Sequence, residues 1–108
     1  MVREISAPEL AARLADSAAG PLLLLDVREG WEWDIARIEG SVHMPMNLIP
    51  LRQGELPDGV TIVAICHHGV RSAHVAMYLQ DVGFDDVLSL AGGVEAWASQ
   101  VDPTMARY

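Results

Sequence analysis

Val60-Thr61-Ile62-Val63-Ala64-Ile65 runs without a charge into Cys66-His67-His68-Gly69-Val70-Arg71-Ser72. The first segment is β-branched and apolar, the pattern of a strand covered on both faces. Cys66 to Gly69 is too polar and too glycine-bearing to continue it. From Val70 the period changes: Val75, Tyr78, Leu79 and Val82 recur at helical spacing, and Gly83 follows them as a stop. A strand, a short loop and a helix in that order make the unit of an α/β domain. Parallel sheets of this class carry their sites where strands end and helices begin.

The flanking chain repeats the unit. Pro57-Asp58-Gly59 is a turn ahead of the strand. Further back, Leu22 to Val27 is a second continuous apolar run, broken from what precedes it by Gly20-Pro21. Arg3 to Ile5 predicts a short first strand. Ser6-Ala7-Pro8-Glu9 is a capping-box pattern that starts a helix over Leu10 and Leu14 to about Asp16. Arg28 to Ile35 predicts a short helix carrying Trp31 and Trp33, Ser41 to Met44 a short strand, and Asn47 to Leu51 a single turn. Asp86 to Leu90 predicts a last strand, and Gly92-Gly93 opens a helix with Val94 and Trp97. The expected fold is α/β, a small, largely parallel central sheet flanked by helices. A chain of 108 residues is expected to form one domain over 1–108.

Composition narrows the chemistry. Seven basic residues stand against 15 acidic ones, for a net charge of −8, and all seven are Arg. Without lysine there is no Schiff base and no phosphate loop ending in Gly-Lys-Ser/Thr. The acidic balance argues against nucleic acid and anionic membrane as partners. Cys66 is the single cysteine, which excludes an intrachain disulfide, a Cys-x-x-Cys redox pair and a multi-cysteine zinc site. Met1 to Glu9 has no long apolar run behind a basic start, so no signal peptide is expected. A lone thiol suits a reducing compartment, and a cytoplasmic location is expected.

Cys66 falls where a buried strand must turn into a helix, and Gly69 permits a left-handed turn there. Loop amides and a helix N-terminus then converge on the strand end, and Arg71 adds a full charge. All three favour a thiolate, and the same groups would hold an anionic substrate beside the sulfur. The interval from Gly59 to Gln80 contains no acidic residue, and it holds Cys66, Arg71, His67, His68 and His74. Plainer roles stand beside these. Cys66 is also a small hydrophobe. His67 and His68 line the mouth or, with Cys66 and His74, ligate a metal, although neighbouring loop residues point apart; no metal is expected. Arg71 could instead cap a neighbouring carboxylate. Ser72 either bonds a loop amide or the sulfur, or caps the helix. Asp26 orders the loop or pairs with an arginine. Arg28 pairs with a carboxylate, most simply one on the following helix. Trp31, Trp33 and Trp97 are read as packing, and Met44 and Met46 as core filling or an acceptor surface.

At these residues the chain resembles a known family. Cys66 to Ser72 is similar to the active-site loop of the rhodanese-like sulfurtransferases. Leu24-Leu25-Asp26-Val27-Arg28-Glu29, Ile38 to Pro45 and Leu90-Ala91-Gly92-Gly93-Val94-Glu95-Ala96-Trp97 resemble three further marks of that family, in the same order. The tail Val101-Asp102-Pro103 to Arg107-Tyr108 is similar to rhodanese modules fused to ubiquitin-like-protein activating enzymes. Two positions depart: Ala36-Arg37 stands where Gly-His is common, and His43 where Asn is common.

The resemblance implies sulfane-sulfur transfer. Cys66 would attack an anionic donor such as thiosulfate, carry the sulfur as a persulfide and pass it to a thiol or cyanide. His67, His68, Gly69, Val70, Arg71 and Ser72 would form the binding loop, with Asp26 and Arg28 in support and no cofactor beyond the covalent persulfide. Arg71 would orient and charge-pair the donor. With no second cysteine the acceptor must come from outside the chain. A persulfide carrier or binding module serving a protein donor or acceptor is the alternative. A related phosphatase or arsenate reductase is a third reading; phosphatases of this plan have five residues between Cys and Arg, and here there are four.

Overall fold

The computed structural model describes residues 2–108. Its centre is β4 (Thr61–Ile65), in which every residue is buried. Burying one such Val or Ile contributes roughly 1.5–3 kcal/mol, so this strand anchors the domain. β2 (Leu22–Asp26) lies on one side of it and β5 (Val87–Leu90) on the other. β1 (Arg3–Ile5) and β3 (Val42–His43) form the edges. The order is β1-β5-β4-β2-β3, and every pairing is parallel. The expected α/β sheet is therefore present, with five strands.

Alternation along the strands divides the core. Leu25, Ile62, Ala64 and Val87 face α4 (Val70–Asp81), which contributes Val75, Ala76 and Leu79. Leu24, Val63, Ile65, Leu88 and Leu90 face α1 (Ala7–Ala15) and α5 (Gly93–Gln100), which contribute Leu10, Val94 and Trp97. α1 starts as expected: Ser6 Oγ accepts from the Glu9 amide at 3.2 Å, and Glu9 accepts from the Ser6 amide at 3.0 Å.

Some boundaries differ from expectation, for local reasons. The helix expected from Arg28 is α2 (Gly30–Ile35). Arg28 cannot join it because Asp26 Oδ1 takes its amide at 3.0 Å, holding the chain at the strand end. The expected strand Ser41 to Met44 is reduced to Val42–His43, although the Met44 amide still donates to Asp26 O at 2.9 Å. In place of a single turn at Asn47–Leu51 there is a 3-10 turn at Met46–Leu48, then α3 (Ile49–Arg52) and a second 3-10 turn at Gln53–Glu55. Pro50 is compatible with the first turn of α3, and an Arg52–Glu55 ion pair at 3.0 Å clasps its end.

Because all strands run the same way, Asp26 and Ile65 are paired at one edge. The Val27 amide donates to Ile65 O at 2.9 Å, joining the ends of β2 and β4. Cys66 is the next residue. Among the described residues, no helix is long and apolar enough to cross a membrane.

Candidate active site

Cys66 leaves the buried strand with its side chain enclosed, at 1% exposure. Gly69, at φ +106°, turns the chain back so that its amide donates to Cys66 Sγ at 3.0 Å. A Cβ at Gly69 would lie 3.3 Å from the Gly92 nitrogen, so the turn is closed to side chains by both conformation and space. Ser72, buried in the first turn of α4, places Oγ 3.5 Å from the sulfur and 2.7 Å from Ser89 Oγ. Alternation along β5 turns Ser89 toward α4, where it meets Ser72. Of its two possible roles, Ser72 is thus placed against the sulfur.

The other side of the loop is held by α5. The Val94 amide donates to Cys66 O at 2.9 Å and the Glu95 amide to His67 O at 3.1 Å. Such close approach requires Gly93: a Cβ there would stand 2.3 Å from Cys66 O. The two loop carbonyls are thereby drawn toward the N-terminus of α5, while the Gly69 amide faces the sulfur. Gly92-Gly93 reads in sequence as a helix start; its hold on the loop comes from the fold.

Arg71 points its terminal nitrogens at Glu32 of α2, at 2.6 and 2.8 Å. Glu32 is buried and also accepts from the Glu29 amide at 2.9 Å and from the Tyr108 hydroxyl at 2.9 Å. The Arg71 hydrogen bonds lower the Glu32 pKa to about 2 against the opposing effect of burial, with the Glu29 amide and Tyr108 adding to the shift. Glu32 in turn raises the pKa of Arg71. The stretch around Cys66 that is free of acid in sequence is therefore not free of acid in space. α2 delivers Glu32, and α5 delivers Glu95, whose carboxylate is held by Arg107.

Asp26 and Arg28 pair with one another, both at zero exposure. Arg28 Nε lies 3.0 Å from Asp26 Oδ1, and one terminal nitrogen lies 2.7 Å from Oδ2. Its remaining donors reach Ala36 O at 2.6 Å, Glu32 O at 3.4 Å and Tyr108 Oη at 2.9 Å. The carboxylate partner of Arg28 is thus the last residue of β2, two positions before it, and α2 and its C-terminal end supply carbonyls. The reason is local: Asp26 reaches both the Arg28 amide and its side chain.

Neither Glu32 nor Tyr108 is marked by local sequence pattern as a site residue, yet Tyr108 contacts Arg28, Glu32 and His67. Its ring stacks on His67 at 3.8 Å, and His67 stacks on His68 at 3.9 Å. Burial chiefly lowers the His67 pKa and raises that of Tyr108. The tail carries a resemblance to fused modules, and its spacing carries no sign of contact with the loop. Trp31 is 61% exposed and meets Tyr108 edge-on at 5.7 Å, so its packing is at the edge and not in the core. Trp33 stacks on His43, whose Nε2 lies 2.7 Å from Arg28 O, and the Arg37 guanidinium lies over the same Trp33 ring at 4.7 Å. Trp97 and Met44 are buried in the core. Met46 and His74 line a small apolar groove beside α4 with Ile49 and Tyr78. Val70 and His68 stand exposed at the loop mouth. Among the described residues no cluster of three or more His, Cys, Asp or Glu is placed to hold a metal ion.

The sequence profile of the Rhodanese-like domain family matches residues 6–100. The chain is 39% identical over 106 residues to a protein named sulfurtransferase from Allochromatium vinosum, covering 98% of this chain and 97% of the relative. It is 43% identical over 89 residues to the probable adenylyltransferase/sulfurtransferase MoeZ of Mycobacterium tuberculosis. That match covers 81% of this chain and 23% of the relative, so the chain spans about a quarter of that protein. A crystal structure of a rhodanese-like domain protein from Staphylococcus aureus superposes with a TM-score of 0.84 at 29% identity, covering 99% of both chains.

Proposed function

The chain belongs to the rhodanese-like domain family, and from that premise we propose that it transfers sulfane sulfur through a persulfide on Cys66. The observation that carries the reading is the Gly69 amide directed at Cys66 Sγ, in a loop whose carbonyls are drawn off by α5. A backbone N–H aimed at sulfur is a donor for negative charge that develops there during transfer, and it is preorganised because Gly69 and Gly93 fix the loop.

In the first half-reaction the Cys66 thiolate attacks the outer sulfur of an anionic donor such as thiosulfate. A bond forms between Cys66 Sγ and that sulfur. The sulfur–sulfur bond of the donor breaks, and sulfite leaves with the electron pair. In the second, an external thiolate or cyanide attacks the terminal persulfide sulfur and the Cys66 thiolate is released. The acceptor is external because Cys66 is the only cysteine. Ser72, backed by Ser89, is placed to donate to sulfur when Cys66 is ionised.

Thiocyanate formation from thiosulfate and cyanide tests the proposal. Cys66→Ser should reduce it to the uncatalysed rate while the protein stays folded. Transfer at the original rate by that variant would sink the persulfide route. Transfer from a persulfidated protein, with little from thiosulfate, would favour the carrier role.

A further inference from the structure

Three arginines are bonded at the edge that carries Cys66, and each faces a carboxylate. Arg28 is on Asp26, Arg71 on Glu32 and Arg107 on Glu95. The pairing at Arg71 matters most, because Arg71 is the cation within the loop. Both of its terminal nitrogens are engaged by one buried carboxylate. That carboxylate is in turn fixed by the Glu29 amide and the Tyr108 hydroxyl. His67 adds little charge at neutral pH, since burial between Tyr108 and His68 lowers its pKa. The loop thus offers a donor amide dipoles and hydroxyls, on a chain of net charge −8, and its guanidinium is already neutralised.

We propose that Glu32 is a specificity-determining residue: by neutralising Arg71 it sets the loop to take sulfur from singly charged sulfane donors in preference to dianions. The inference rests on the Cys66 persulfide reading and refines its donor. The chemistry is the same for either donor class. With an alkanethiosulfonate, the Cys66 thiolate forms its bond to the outer sulfur, and the sulfinate leaves with the electron pair. The two negative charges of thiolate and donor become those of persulfide and sulfinate. Thiosulfate releases a sulfite dianion instead, so the doubly charged group must be held beside Glu32 and Glu95 throughout.

The test compares thiosulfate with methanethiosulfonate, using cyanide as acceptor at neutral pH. In a ping-pong cycle kcat/KM for the donor reports the first half-reaction. For the wild-type chain, kcat/KM for thiosulfate should rise with ionic strength, because salt screens repulsion of the dianion. It should rise more steeply than for methanethiosulfonate. In Glu32→Gln the ratio of the two kcat/KM values should shift toward thiosulfate by about tenfold, the size of one uncompensated charge a few ångströms away. A role in loop integrity alone would lower both donors together and leave the ratio fixed. A fixed ratio in a folded variant overturns the proposal, as does a thiosulfate rate that falls with salt in the wild type. The salt dependence needs no variant, so a thiosulfate rate that falls with salt overturns the proposal even if Glu32→Gln fails to fold, and the donor ratio assigns the effect to Glu32 rather than to the net charge of −8. Turnover of neither donor has a different signature: it overturns the persulfide reading itself and this inference with it.

Discussion

Two arginine–carboxylate pairs share one edge of this sheet and meet at Tyr108, yet they differ in solvent and in what holds them. The Asp26–Arg28 pair is sealed, with both side chains at zero exposure, whereas Arg71 is 31% exposed above a buried Glu32. Arg28 is surrounded by fixed groups: Asp26, the carbonyls of Glu32 and Ala36, and the Tyr108 hydroxyl. It ties the end of β2 to α2 and acts as framework. Arg71 is held by one side chain that can itself be changed. Similar chemistry therefore serves architecture at one strand end and the electrostatics of the Cys66 loop at the next. Burial decides between them, because an unpaired charge is costly only where water cannot reach it.

The sharpest way to break the comparison is Arg28→Met. It leaves Asp26 ionised and enclosed, and should cost about 3–5 kcal/mol in urea unfolding. Arg71→Met should cost less, about 1–2 kcal/mol, since Glu32 keeps the Glu29 amide and Tyr108 as partners and Arg71 was already partly in water. Equal losses would show the two pairs to be the same kind of object.

The pH dependence sharpens the contrast next. Glu32 is depressed from 4.5 to about 2. Its folded pKa is below its unfolded one, so it stabilises the fold fully above about pH 4.5. That contribution is lost as pH falls toward 2. The amplitude is on the order of 3 kcal/mol at most, by linkage. Unfolding free energies of wild type and Glu32→Gln should therefore converge between those pH values, and parallel curves would contradict the assignment. The smallest effect is expected of Tyr108→Phe, which keeps the ring on His67 and removes the hydroxyl between Arg28 and Glu32. About 1 kcal/mol of stability should be lost, together with a rise in the Glu32 pKa that carboxylate NMR would follow.

Particular residues show how far the sequence could be read. Thr61 to Ile65 and Val75 to Leu79 carry their periods in plain view, so strand, loop and helix around Cys66 are legible, as is the Ser6–Glu9 cap. Gly69 is legible too, because a tight turn after a buried strand needs a residue free to adopt positive φ. Glu32 is not: it is one of 15 acidic residues, and it reaches Arg71 across 39 positions of chain. Tyr108 is hidden for the same reason, joining Arg28 across 80 positions. α2 starts at Gly30, two residues later than the pattern predicts, because a side chain, Asp26, competes for the Arg28 amide. Local pattern cannot register that competition.

The central claim is that Cys66 carries sulfur. The most direct measurement is the mass of the purified chain before and after a sulfane donor, then after reductant, with the modified peptide sequenced. A persulfide carrier gains the mass of one sulfur atom, confined to Cys66 and removed by reductant. Sulfur delivered to acceptor while Cys66 stays unmodified throughout turnover would contradict it.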